Sequence, residues 1–365
     1  MKCNSRIIRS SNFSSRPMLG KTIVSYVEDT LASAGIPCKE ISGSEQLLLV
    51  RDDIPLVRAE SFTELLSTSV FNPHVMKDED LIIALAIPEP FVSVHLLALS
   101  ELTSIEEAVM LLEENGLPAK TYDDNHSDSH IAIVDAYEYT NAQSYLQAVI
   151  LSKHMDNGVL FTNPENVQIS PEVVIGKGTL VYGGNVLEGK TIIGSECILY
   201  PNNRMNNAFV GDNSTVESSV LLDCKVGNST TVGPYAYVRP KSAIGNSCRI
   251  GDFVEVKNSN IGDGTKVSHL TYVGDSDLGR NINLGCGVVF VNYDGKTKRR
   301  STIEDYAFIG CNTNLIAPVN VGENAYIAAG STVTEDVPND SLYVARSRSA
   351  IKSDWVKRRK EEGKL

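Results

Sequence analysis

Two basic residues, Arg239 and Lys257, each stand directly after a valine (Val238, Val256). If one turn of the backbone spans the distance from 239 to 257, the two cations stack on one face. Stacked cations repel unless an anion lies between or beside them, so the pair reads as a phosphate site. A solvated face is the plain alternative. Glu255 and His269 are the second pair, and His269 is the only histidine after residue 154. A carboxylate that orients an imidazole makes a general base near neutral pH; a structural histidine is the competing reading. Tyr272, Asn283 and Asn292-Tyr293 add polar groups nearby. The run 292–300, Asn-Tyr-Asp-Gly-Lys-Thr-Lys-Arg-Arg, carries four cations that could meet an anionic ligand, or water alone.

The element that positions these residues is a six-residue beat of aliphatic side chains. It runs through Val226, Val232, Val238, Ile244, Ile250 and Val256, then Ile261, Val267, Val273, Leu278 and Leu284. It returns at Ile309, Leu315, Val321, Ile327 and Val333, and glycine often follows, as in Ile244-Gly245 and Ile309-Gly310. Period six fits neither a helix nor a flat strand. It is the hexapeptide signature of a parallel β-helix. Three hexads close one coil, the spacing of Arg239 and Lys257, and coils stack at roughly 4.8 Å. One aliphatic residue per hexad fills the interior, while Gly, Asn and Asp turn the corners. About nine such coils fit between residues 165 and 340 at that spacing. The basic run 292–300 interrupts the beat, and a solenoid expels such insertions as loops from one edge.

Glycine marks where the prism begins: residues 1–157 hold four and the remaining 208 hold 23. The first part reads as a small α/β, Rossmann-like domain over 1–140. Its expected strands are 46–50, 81–87 and 130–134, and its expected helices 21–34 and 104–114. A linking helix over 141–157 leads to a left-handed β-helix over 158–346 and a tail over 347–365. The apolar stretch 81–99 contains Pro88, Glu89, Pro90 and His95, so it reads as strand then helix, not as a membrane span. A net charge of −12 argues against a nucleic-acid partner. Seven cysteines without CxxC spacing point to free thiols, and no charged-then-apolar signal opens the chain; both suggest the cytoplasm.

Three signals fall short. Gly20-Lys21-Thr22 imitates the end of a phosphate loop, but Ser15 stands where its first glycine belongs. His126 and His130 have helical metal spacing inside a polar loop, a weak signal, and no metal is expected. A zinc-dependent β-helical enzyme needs three histidines, and the prism has one.

On these residues the chain resembles the acetyltransferase half of the bacterial bifunctional N-acetylglucosamine-1-phosphate uridyltransferase/glucosamine-1-phosphate N-acetyltransferase. The resemblance is dense from Lys153 to Trp355, above all at residues 233–240 (GPYAYVRP), 268–274 (SHLTYVG), 292–295 (NYDG) and 315–319 (LIAPV). It implies acetyl transfer from acetyl-CoA to glucosamine 1-phosphate, for synthesis of UDP-N-acetylglucosamine and the cell wall. In that pattern His269 is the proton acceptor and Glu255 its orienter. Arg239, Lys257, Tyr272, Asn283 and Lys298 match the sugar-phosphate positions. Cys286, Asn292, Tyr293, Cys311, Ala329 and Arg346 match the acetyl-CoA positions. Direct attack is implied, with no cysteine as nucleophile, in a homotrimer where Asn292, Tyr293 and Arg346 serve a neighbour's site.

The N-terminal part departs from the family. Its glycine-rich nucleotide loop is replaced by Arg6-Ile7-Ile8-Arg9-Ser10-Ser11-Asn12-Phe13, and only Asp53 and Asn141 echo the metal positions. Mg2+ is therefore expected only if this domain still works, and without amides close to the phosphates it is not expected to position UTP. Retained uridyltransferase activity, a nucleotide-linked amino sugar as acceptor, and a non-catalytic scaffold are the alternatives.

Overall fold

The computed structural model describes residues 3–9, 14–39, 46–69, 72–78, 81–88, 91–92, 96–122 and 132–365. The chain forms two compact units, Met1–His154 with Gln168–Pro171, and Met155–Val167 with Glu172–Leu365. His126 and His130 lie outside the described residues.

The first unit is built on a five-stranded sheet in the order Cys3–Ile8, Gln46–Arg51, Leu81–Ile87, His74–Asp78, Lys120–Thr121. Leu81–Ile87 runs antiparallel to both neighbours, and the two outer pairings are parallel. All six residues of Gln46–Arg51 are buried because both sheet faces are covered. Leu48 and Val50 pack with Val27, Leu31, Phe62 and Leu65 on one side. Leu47 and Leu49 pack with Leu99, Ile105, Ala108 and Leu112 on the other. Helix Ile105–Glu114 starts from a capping box, with Ser104 Oγ accepting from the Glu107 amide at 3.1 Å.

Three sequence-based boundaries shift. The first helix begins at Ile23, because Lys21–Thr22 pairs with Pro17–Met18 as a short hairpin. The long helix runs over Ala136–Asp156, started by the Asp135 carboxylate, which accepts from the amides of Tyr137 and Glu138. The expected strand 130–134 is not formed over its described part: Ala132 and Ile133 are buried, and the Ile133 amide bonds Asp53 O at 2.8 Å.

The second unit is a parallel β-helix with walls of nine, ten and eleven strands. Each strand pairs in parallel with the equivalent strand one coil on, as in Val238 with Val256, Ile244 with Ile261, and Ile250 with Val267. Every residue of the aliphatic beat is buried. The beat also holds where the sequence hides it: Phe290 and Ile303 are its buried members on either side of the basic run. Ser276 pairs with Ser301 across that run, so the inserted segment leaves as a loop and the coils stay in register.

Corners take positive φ about once per hexad. Asn and Asp fill many of them, as expected, but so do Tyr235, Phe253, Leu270 and Tyr306, with φ of 60°, 55°, 46° and 62°. Left-handed backbone costs a residue with a side chain about 1–2 kcal/mol. Stacking of Tyr235 on Phe253, centroids 5.5 Å apart, offsets part of this.

Candidate active site

One corner and the wall beside it carry the chemistry. At the corner between the eleven- and ten-stranded walls, each coil places one side chain two residues after its buried aliphatic. Ile250, Val267, Leu284, Ile309 and Ile327 are in register. The corner column therefore reads Asp252, His269, Cys286, Cys311, Ala329. Backbone bonds join it level by level: Leu270 N to Asp252 O, Gly287 N to His269 O, Asn312 N to Cys286 O and Gly330 N to Cys311 O. Gly251 is needed here, since a Cβ on it would collide with the Ser268 carbonyl of the next coil.

His269 points outward, its side chain 51 % exposed, and Nδ1 lies 2.5 Å from Asp252 Oδ1. Asp252 is thus the carboxylate that orients the ring. Glu255, expected in that role, instead accepts from Arg239 Nη1 at 2.7 Å. The reason is register: one full coil carries the chain from Asp252 to His269, whereas Glu255 lies farther along that coil, on the ten-stranded wall and in a different column. The hydrogen bond from His269 holds the Asp252 carboxyl below the usual carboxylate range. An ionised carboxylate only accepts, so Nδ1 carries a proton, and Nε2 is the ring nitrogen left facing solvent.

The ten-stranded wall brings the cations together. Arg239 N bonds Val256 O, which seats Arg239 directly beside Lys257 on the next coil. The Arg239 guanidinium lies over the Tyr237 ring, 5.6 Å from its centroid. Lys298, from the expelled loop, folds back on Lys257, and that neighbouring ammonium pulls the Lys298 amine below the usual lysine range. Two lysines within reach of each other are a site waiting for negative charge. Asp275, which the sequence did not single out, ties the cluster: it is 8 % exposed, lies 3.9 Å from Lys257 Nζ, and accepts from Asn258 and Asn292. Asn292 also donates to the Tyr272 hydroxyl at 3.3 Å.

Other candidates lie apart within the chain. Asn283 is on the eleven-stranded wall, between Lys266 and Phe308, away from the cation cluster. Tyr293 is exposed in the loop, its hydroxyl donating to Gly295 O at 2.7 Å. Arg346 Nη1 donates to Ala329 O at 3.0 Å, at the top of the corner column. In the first unit, both Asp53 oxygens accept from Arg51 at 2.9 Å and the residue is fully buried, whereas Asn141 is exposed. No cluster of three His, Cys, Asp or Glu suited to a metal occurs among the described residues. Among them, no helix is long and apolar enough to cross a membrane.

Residues 223–258 and 300–335 match the bacterial transferase hexapeptide family (six repeats). The chain is 55 % identical over 211 residues to the bifunctional protein GlmU of Clostridium acetobutylicum, an overlap of 58 % of this chain and 46 % of that protein. To the bifunctional protein GlmU of Clostridioides difficile it is 45 % identical over 258 residues, 71 % of this chain and 56 % of the relative. The chain thus spans about half the length of the curated relatives it matches. Among solved structures, UDP-N-acetylglucosamine acyltransferase from Campylobacter jejuni aligns over 46 % of this chain and 83 % of its own, with 20 % identity and a TM-score of 0.29.

Proposed function

We propose that the prism transfers the acetyl group of acetyl-CoA to the amine of glucosamine 1-phosphate, giving N-acetylglucosamine 1-phosphate and CoA. The observation that carries this is His269, its Nδ1 pinned by Asp252, standing three residues from Tyr272 and the wall of cations. Arg239, Lys257 and Lys298 hold the phosphate dianion, and charge-assisted bonds of this kind are the strong ones. The sugar amine attacks the thioester carbonyl while His269 Nε2 accepts its proton. The CoA thiolate leaves and takes that proton from the imidazolium. The sequence likeness to GlmU proteins supports this reading.

Acetyl-CoA is placed along the corner column, over Cys286, Cys311 and Ala329, with Arg346 at its far end. Asn283 stands on a different wall from the cation cluster within one chain, which supports a homotrimer whose sites are completed by a second copy. The free cysteines favour a reducing cytoplasm.

The assay is CoA thiol release with glucosamine 1-phosphate. Each hydrogen bond to a charged group is worth about 1.5–3 kcal/mol, so Arg239→Ala and Lys257→Ala each raise the KM for the sugar phosphate roughly ten- to a hundredfold. The KM for acetyl-CoA stays put. An unchanged sugar-phosphate KM in both variants removes the phosphate from this wall.

The first unit has lost uridyltransferase chemistry on this reading. Asp53 is already saturated by Arg51, and a carboxylate locked in a bidentate ion pair is a poor magnesium ligand. Isothermal titration of UTP with Mg2+ into the full chain should therefore give no binding heat. A saturable isotherm would restore the second activity.

A further inference from the structure

The corner column stacks two thiols directly above the histidine. Leu284 and Ile309 are in register, so Cys286 and Cys311, each two residues on, occupy the same corner of successive coils. The Asn312 amide donates to Cys286 O at 2.8 Å and fixes this juxtaposition. Coils rise by roughly 4.8 Å, inside the Cα separations of roughly 4.4–6.8 Å that a disulfide spans. The Cys311 sulfur is turned toward the coil below: a Cβ built on Gly285, the neighbour of Cys286, would lie 2.9 Å from it. Cys311 is exposed and Cys286 half-buried, so one thiol is open to attack by a reagent and the other is placed to resolve it. By contrast Cys3, Cys197, Cys224 and Cys248 are buried. In Cys224 burial pushes the thiol up to about 12, too high to supply thiolate.

We infer that Cys286 and Cys311 form a reversible dithiol–disulfide pair, closed by exchange with a low-molecular-weight disulfide. The Cys311 thiolate attacks the external S–S bond and expels one thiolate. Cys286 then attacks the Cys311 sulfur and expels the second. The protein loses two protons and two electrons, and the reagent becomes two thiols. In-register neighbours hold their Cβ atoms farther apart than a relaxed disulfide does, so the bond is strained and easily reduced. It pulls two levels of the column together immediately above His269. The pair itself stands on register alone; its effect on turnover rests on the placement of acetyl-CoA proposed above.

The test uses the full wild-type chain and oxidised glutathione as probe. Lys296, Lys298, Arg299 and Arg300 separate the two cysteines, so trypsin puts them on different peptides. Those two peptides are expected cross-linked, two hydrogens lighter than their reduced sum, with dithiothreitol separating them; the exposed Cys38 lies on another peptide and is scored apart. CoA release falls in proportion to the cross-linked fraction and returns on reduction. With Cys286→Ser, a glutathione adduct accumulates on Cys311 and no cross-link forms. Failure of the wild type to cross-link, or a stable glutathione adduct on Cys311 with Cys286 present, overturns the pair. A cross-link that leaves CoA release untouched keeps the pair and instead overturns the acetyl-CoA placement.

Discussion

His269→Ala lowers the rate of acetyl-CoA-dependent turnover by about 10²–10⁴, the range that a positioned general base supplies. The loss falls on kcat, because the imidazole of this site accepts a proton only as the amine attacks. The two carboxylates nearby then separate the roles. Asp252→Asn leaves Nδ1 without its anionic partner, so kcat falls with little change in KM. Glu255→Gln disturbs the carboxylate that holds Arg239, so its effect appears in the KM for the sugar phosphate. Steady-state kinetics of the three variants decide the assignment. Equal kcat for His269→Ala and wild type would remove the base from the mechanism, and a kcat loss confined to Glu255→Gln would return the orienting role to that residue.

The largest effect on stability is expected at Phe290, whose ring is 1 % exposed inside the prism and pairs across the ten-stranded wall with Leu315. Phe290→Ala empties the lumen at one level. Large-to-small substitution of a buried phenylalanine costs about 3–5 kcal/mol, because a close-packed interior collapses only partly into the void. The coils above and below are held by the same ladder and cannot close in without breaking register. Chemical denaturation should show a lower midpoint with an unchanged slope. A shift equivalent to less than about 1 kcal/mol would mean that the lumen there is not packed around the ring.

The prism was legible because its rule is local: one aliphatic residue must enter the lumen on each wall, and that writes a period into the chain. The coils expected from residue 165 carry the same rule ahead of Val226, through Ile175, Val181, Leu187, Ile193, Leu199, Met205 and Val210, all buried. Its steps there are six residues except for the one from Met205 to Val210, which is five. Arg239 and Lys257 were found as a stack since their spacing is one coil. Asp252 was missed although it too is one coil from His269. The coil at that level falls one short of three full hexads, and this had to be known before the partner could be chosen. Asp275 left no sequence signal, since its role arises only when the loop returns Asn292 to the wall. In the first unit the buried strands at 46–51 and 81–87 were read from apolar runs, but the antiparallel pairing that joins them is a tertiary choice. The segment 132–134 is as apolar as a strand and finds no ladder.

The corner column also acts as a vernier. Because a loop can leave an edge without shifting the levels on either side, the height of each functional group is counted in whole turns and not in residues. Losing one residue between Asp252 and His269 would swing the imidazole off its carboxylate, whereas a residue added at the exposed loop tip, 294–296, leaves every coil at its own height.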